Sequence, residues 1–484
     1  MIVKGAGMEK IERVKILSED ELIRIHENSL RILESTGLSI LSEKVLKICR
    51  ECGLDTDAHN GIVRFPRGIV EKHIATAPEK IELYNRGGTL CAELGTGKSY
   101  TASGHNAIYV LEHGSRERRN ATKKDVGTFA LLSDYLQDID VIGIEAMPQD
   151  VQPESTLIHA LEAAFSNTDK PIFFSPERAE VVKPIFDIAR VVTGRSDLGS
   201  RPPFICQLSP TSPLTWEDGA VEALAATAEE GVPLCLLPQP FAGVTSPYTL
   251  AGHLTVHNVE TLSGVVLGQL INPGSPIIYG SAWSTFDMRQ ANVLIGSPET
   301  VLMRMAGAQL AEFYHLPHHT IAPDTDAHVM DEQLSWEKFA TTWGSFLGQA
   351  DLIVNGGMFS TGLTVSFEQL VIDNEIFSYI KRLSRGILVD EDTLALDIIE
   401  RVGPKGDYLG EEHTLHHLKS GEHWEPLIST REIYENWQRA GRKDIVEKAH
   451  EKVQWILKNH MVAELSDSNK EDIRAIIKGF EGLS

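Results

Sequence analysis

The residues of this chain that can do chemistry gather just after short apolar runs. In order they read Gly143-Ile144-Glu145-Ala146-Met147, Ser175-Pro176, Gln207-Leu208-Ser209-Pro210, Pro238-Gln239-Pro240-Phe241, Gly280-Ser281-Ala282-Trp283, Ala322-Pro323-Asp324-Thr325-Asp326 and Gly356-Gly357-Met358-Phe359. A site for phosphate or several carboxylates calls for Arg and Lys at such positions. Here amides, hydroxyls, aromatics and a few acids predominate, which suits a cationic organic ligand. Glu145, Gln207 and Gln239 supply the polar groups. Trp283, Phe286, Phe241 and Phe359 are the candidate walls, each ring worth roughly 0.5–2 kcal/mol to a desolvated ammonium. Trp283 and Phe286 are expected to flank the charge. Trp336 and Trp343 lie seven residues apart on one helical stretch, a spacing that fits packing better than ligand binding.

The histidines divide by their neighbours. His315, His318 and His319 imitate a metal set, yet Pro317 interrupts any helix among them, and strand alternation sends His318 and His319 to opposite faces. No metal site is expected. His328 differs, because it follows Asp324-Thr325-Asp326 in a loop after a late strand; His328, Asp324 and Asp326 are the expected catalytic group. Two further patterns are decoys. Gly95-Thr96-Gly97-Lys98-Ser99 resembles the end of a phosphate loop, but the required earlier glycine is Ala92. Cys49 and Cys52 form a CxxC on a helical stretch without a second pair.

Eight apolar runs, starting near Ala107, Val141, Pro171, Pro203, Pro233, Pro276, His318 and Asp351, must position these residues. Each precedes a helix-period segment, from Thr122–Leu136 to Ser366–Leu383. This order predicts an α/β fold, a (β/α)8 TIM barrel with its site at the C-terminal ends of the strands. The expected organisation is a helical N-terminal extension with short strands over 1–100, the barrel over 101–390 and a C-terminal helical extension over 391–484. Ser18 with Glu21 forms a capping box for a first helix, Ser42–Cys52 and Pro66–Ala77 read as two more, and Ser429–His460 reads as one long amphipathic helix. The 484 residues are 42% hydrophobic and 23% charged, ordinary for a globular enzyme. A net charge of −23, from 45 basic and 68 acidic residues, argues against nucleic acid. Without a signal peptide or an apolar run of about 18 residues, a cytoplasmic protein with no membrane contact is expected.

The runs YGSAWSTFDMR at Tyr279–Arg289, GSPETVLMRMAGAQLAEFYHLP at Gly296–Pro317, DAHVMDEQLSWE at Asp326–Glu337, SFEQLVIDNEI at Ser366–Ile376 and YLGEEHTLHHL at Tyr408–Leu418 together resemble the trimethylamine methyltransferase family. The resemblance runs from about Leu17 to the C-terminal helix. It implies a (β/α)8 methyltransferase that passes an amine methyl to a corrinoid, cobalamin-type cofactor, Co(I) becoming methyl-Co(III), carried on a separate small corrinoid-binding protein. Members acting on trimethylamine carry pyrrolysine late in the barrel, near the segment that here reads Ala322–His328. None is written in this sequence, which therefore resembles the non-pyrrolysine branch acting on quaternary amines such as glycine betaine, proline betaine, carnitine or butyrobetaine.

Physical chemistry agrees with that division, since a quaternary ammonium already has a neutral amine as leaving group. The nitrogen loses its charge in the transition state, so a carboxylate held against it would favour the ground state. Aromatic rings are the better holder. The remote carboxylate of a betaine is the better anchor, through Arg289, His105, His328 or backbone amides. Glycine betaine is the first expectation, with no tightly bound metal and with a homo-oligomer as the assembly. The alternatives are a non-catalytic betaine-binding barrel and a zinc-dependent corrinoid methyltransferase of the methanol or thiol type.

Overall fold

The computed structural model describes residues 12–57 and 59–482. Eight parallel strands form its centre: β1 (Tyr100–Ser103), β2 (Ile142–Gly143), β3 (Ile172–Phe174), β4 (Phe204–Leu208), β5 (Leu234–Leu236), β6 (Ile277–Ser281), β7 (His318–Ile321) and β8 (Leu352–Gly356). Neighbours in sequence are neighbours in the sheet, and β8 pairs with β1. The ring closes at a thin seam, where Val141 N donates to Thr101 O at 3.2 Å and Ser103 N to Val141 O at 3.3 Å. A helix follows each strand: α1 (Lys123–Tyr135), α2 (Thr156–Phe165), α3 (Ala179–Thr193), α4 (Asp218–Glu229), α5 (Leu250–Ile271), α6 (Pro298–Phe313), α7 (Glu332–Leu347) and α8 (Phe367–Ser384).

The first strand departs from expectation. It is Tyr100-Thr101-Ala102-Ser103, not the run starting near Ala107, which bridges to Ala146 beyond the strand end and continues as Tyr109–Leu111 in a separate four-stranded sheet. Small residues are needed at this seam, because a Cβ on Gly143 would lie 2.0 Å from Gly104 O.

Alternation along the strands sorts side chains between the lumen and the helices. Ala102, Val141, Phe173, Ile205, Cys235, Ile278, Leu352 and Val354 fill the lumen, together with Ile81, Leu83, Ala92 and Leu94 from the hairpin Ile81–Tyr84/Leu90–Leu94. That hairpin plugs the N-terminal end of the barrel: Gly95 N donates to Asp351 Oδ1 at 2.7 Å, and Asp351 immediately precedes β8. The lumen is therefore reached from the C-terminal ends of the strands. Gly95-Thr96-Gly97-Lys98-Ser99 leads out of this hairpin, where a Cβ on Gly95 would meet Glu79 O at 2.0 Å; it is a turn, not a phosphate loop.

The N-terminal helix Glu19–Ser35 begins with the expected Ser18/Glu21 capping box. Its Leu22, Ile25, Leu30 and Leu33 share one core with Leu262 of α5 and Leu310 of α6. The Gln309 side chain fixes the approach, accepting from Ile16 N and Leu17 N at 2.8 and 2.9 Å.

At the other end the single helix expected over Ser429–His460 is two, Tyr434–Arg439 and Ile445–Asn459, separated by Gly441 and Arg442 at φ +102° and +59° and restarted by an Asp444/Glu447 capping box. The helix Asp467–Glu481, which begins after that stretch, docks far back along the chain. Glu481 accepts from Ser155 Oγ at 2.8 Å and meets His159 Nε2 at 2.9 Å, while Asn469 Nδ2 donates to Val191 O at 3.2 Å. Among the described residues no helix is long and apolar enough to cross a membrane.

Candidate active site

The floor of the barrel mouth is built from β3, β4, β7 and the segment after β1. Phe173 and His319 point into the lumen and stack at 5.1 Å with planes 7° apart. His105 meets the Phe173 ring edge-on at 5.0 Å. Both are lumen positions because β3 and β7 present alternate residues inward; His318, one residue away, faces the helices and bonds Ser281 Oγ at 2.7 Å. Gln207, at the fourth position of β4, is half-buried beside His105, and Asn106 Nδ2 donates to Ser175 Oγ at 3.4 Å. Phe173 and His319 are wholly buried, so the accessible surface above them belongs to His105, Gln207, Ser175 and Asn106.

This floor is polar but uncharged. Burial holds the His105 imidazole down at about 4, with the Gln207 amide opposing the shift, and burial drives His319 well below the ordinary histidine value. Both rings are neutral at pH 7. Nδ1 of His105 and both ring nitrogens of His319 find no hydrogen-bond partner among the described residues. Buried polar atoms are almost always paired, so these unpartnered ring nitrogens depart from that rule.

The rim comes from three loops. After β5, Gln239 is exposed and its Nε2 donates to Ser284 Oγ at 3.0 Å, while Phe241 bridges to Ser284 through backbone. After β6, Phe286 is half-buried in the hairpin Thr285–Asp287/Asn292–Leu294, with Arg289 exposed in its turn. After β7, His328 is exposed and its Nδ1 lies 2.7 Å from Ser360 Oγ.

Several expected site residues lie elsewhere. Trp283 is a correction: it is fully buried in the layer between barrel and helices, 3.8 Å from the His257 ring, and its benzo edge fills the space over Gly307 of α6. No face remains for an ammonium. Phe359 is likewise buried, packed with Leu111, Ala327 and Leu334. Glu145 sits behind the seam, where Ser133 Oγ donates to its Oε1 at 3.0 Å and burial pushes its carboxyl well above the usual range. Asp324 is paired with Arg304 at 2.6 Å, both at most 2% exposed, and accepts from Asn355 Nδ2 at 2.5 Å. Asp326 accepts from Ile295 N and Gly296 N at 2.8 and 3.2 Å, tying the loop after β7 to the start of α6. The two aspartates brace that loop through Arg304, Asn355 and the amides before α6, whereas His328 bonds Ser360. Trp343 packs as expected on its helix, whereas Trp336 is 61% exposed. Phe173 and His319 were missed because each reads as an interior strand residue; their ring nitrogens and stacking become meaningful only once the barrel brings them to one axis.

Comparison with known proteins fits this architecture. A family model described as trimethylamine methyltransferase (MTTB) matches residues 5–479. The chain is similar to the trimethylamine methyltransferase MttB of Desulfitobacterium hafniense, 33% identical over 98% of this chain and 96% of the relative. It is also similar to the glycine betaine methyltransferase of the same species, 31% identical over 96% and 97%. The solved monomethylamine methyltransferase MtmB of Methanosarcina barkeri shares the fold with a TM-score of 0.51 at 11% identity, covering 96% of this chain and 92% of that one.

Proposed function

This chain belongs to the trimethylamine methyltransferase family, and from that premise we propose that it removes a methyl group from a small quaternary amine, glycine betaine first among candidates, for transfer to a corrinoid on a separate protein. The observation that carries the reading is the floor of the mouth: His105, Gln207, Ser175 and Asn106 offer hydrogen bonds without charge above a buried Phe173–His319 stack. Neutral imidazoles do not repel an ammonium, and their N–H groups can hold a carboxylate at the far end of the substrate. On this reading Phe241 and Phe286 on the rim are the rings that face the cation.

The accessible edge of the floor at His105, Gln207, Ser175 and Asn106 fits a bound small molecule, and exposed His328, bonded to buried Ser360, fits a second, larger ligand approaching from outside. A corrinoid there would supply a strongly nucleophilic cobalt centre able to accept the methyl. The chain's own contribution is placement. His105 fixes the carboxylate, aromatic rings hold the ammonium without opposing its loss of charge, and His328 orients what reaches the rim.

Incubation of the protein with free cob(I)alamin and a panel of amines tests the reading. Glycine betaine should be demethylated to dimethylglycine, followed by the change in the cobalamin visible spectrum, and trimethylamine should be inert. Transfer from trimethylamine in preference, or from none of the quaternary amines, rejects the proposal.

A further inference from the structure

At the opposite end of the barrel from the mouth, the chain folds with almost no core. Lys381, in the last turn of α8, pairs with Asp140 at 3.1 Å just before β2, and Arg382 and Arg385 donate to Glu422 O and Gly421 O. These contacts fix Gly421 and Glu422 at the C-terminal end of α8, so the segment 388–420 leaves from and returns to the end of the barrel where the strands begin. Within the helices Glu391–Leu394, Leu396–Val402 and Glu412–Ser420, Ile398 is the one buried residue. Leu394, Leu396, Leu415 and Leu418 are 54%, 62%, 54% and 63% exposed. Apolar burial does not hold such a unit together, and folded segments without a core depend on a crosslink or a metal.

The segment has a metal-ligand set where a core would be. Asp392 comes from the first of these helices. His413 and His417 are one turn apart on the third, which puts both imidazoles on one face. Their ligand atoms all lie within 4.8 Å of one another. His417 Nε2 is 3.2 Å from Asp392 Oδ2, close to the edge of about 3.3 Å that tetrahedral zinc imposes with bonds near 2.0–2.1 Å. That nitrogen is sealed from solvent and makes no hydrogen bond in proper geometry. The rings of His413 and His417 are 4.1 Å apart, His413 Nε2 lies 3.0 Å from Asp392 O, and Glu391, Asp397, Arg401, Glu412 and His416 line the cleft beside them. The other comparable cluster among the described residues, His113, Glu368 and His450, has its carboxylate more fully paired: Glu368 bonds both His450 and Ser366 at 2.8 Å, and the two imidazoles stack at 3.8 Å.

We propose that Asp392, His413 and His417 bind one zinc-class divalent cation that fastens the helix Glu412–Ser420 to the helix Glu391–Leu394. The role is structural, because the site lies across the barrel from the mouth. It departs from the sequence-based expectation that no metal is tightly bound.

The full chain, stripped with EDTA and titrated with zinc chloride, should retain about one zinc per chain through gel filtration, measured by elemental analysis, and should become resistant to proteolysis within 388–426. His413→Ala/His417→Ala should lose at least about tenfold in zinc affinity together with that protection, while His416→Ala keeps both. No retained zinc in the unsubstituted protein overturns the proposal. Equal zinc in the double variant overturns it too, because the ion then sits elsewhere. Should the double variant fail to fold, cobalt(II) added to the unsubstituted chain decides. The visible bands of a four-coordinate site with nitrogen donors support the assignment, and the weak spectrum of hydrated cobalt rejects it.

Discussion

A tryptophan just past a strand end serves either the mouth or the packing behind it, and the helices around it determine which. Trp283 packs against the His257 ring at a tilt of 36° and covers Gly307, so Trp283→Ala leaves a cavity between the barrel and α5 and α6. The expected loss is about 3–5 kcal/mol of stability, read by chemical denaturation. The cation wall passes to Phe286, whose replacement by Ala should weaken betaine binding by roughly 0.5–2 kcal/mol while the melting temperature stays near that of the parent. A Phe286→Ala protein with unchanged betaine affinity would exclude that ring. His328 carries little packing, being exposed with one bond to Ser360. His328→Ala should therefore fold normally and lose methyl transfer to cob(I)alamin at saturating betaine; full turnover in a stable variant would make it a bystander.

Loops are positioned by charges that the strands bury. The segment after β7 is held by Asp324 on Arg304 and Asn355, and by Asp326 on the amides at the start of α6. Asp324→Ala strands a guanidinium in a dry site and should cost about 3–5 kcal/mol, whereas Asp324→Asn retains an acceptor for Asn355 and should cost less. Equal, small losses for both on a thermal melt would show that the pair is not needed. The same loop shows where sequence is informative. Strands β2 to β8 were legible because apolar runs bounded by Pro and Gly contrast with what surrounds them. Strand β1 was not, since Tyr100-Thr101-Ala102-Ser103 has no apolar contrast and is a strand only because the closing seam needs small side chains. His105 and Gln207 could be picked out as polar groups at strand ends. The brace role of Asp324 could not, because its partner Arg304 is 20 residues away on a helix face whose direction depends on the closed barrel.

The molecule as a whole keeps neutral several histidines that its unfolded chain would protonate. His105 and His253 are held at about 4 and His318 at about 3 by burial, and His257 and His319 well below the normal value. Against these stand Glu260, raised to about 7, Glu145, raised well above its usual range, and Asp326, Asp351 and Asp373, also raised by burial. Between pH 6.5 and 4.5 the unfolded chain takes up protons on these histidines, and on His26 and His73, more readily than the folded chain does, and the raised carboxyls offset only part of that difference. Stability should fall on acidification through this window, by about 1.4 kcal/mol per pH unit for each unmatched proton. A melting temperature that rises from pH 6.5 to 4.5 would contradict the sign. A different consequence follows from the helix Asp467–Glu481 lying on α2 and α3. Asn469 is separated from its partner Val191 by 278 residues. At roughly 5–20 residues per second, a ribosome needs roughly 15–55 s to make the cover after it has made the surface to be covered. For that interval the outer face of α2 and α3 is left uncovered on the nascent chain.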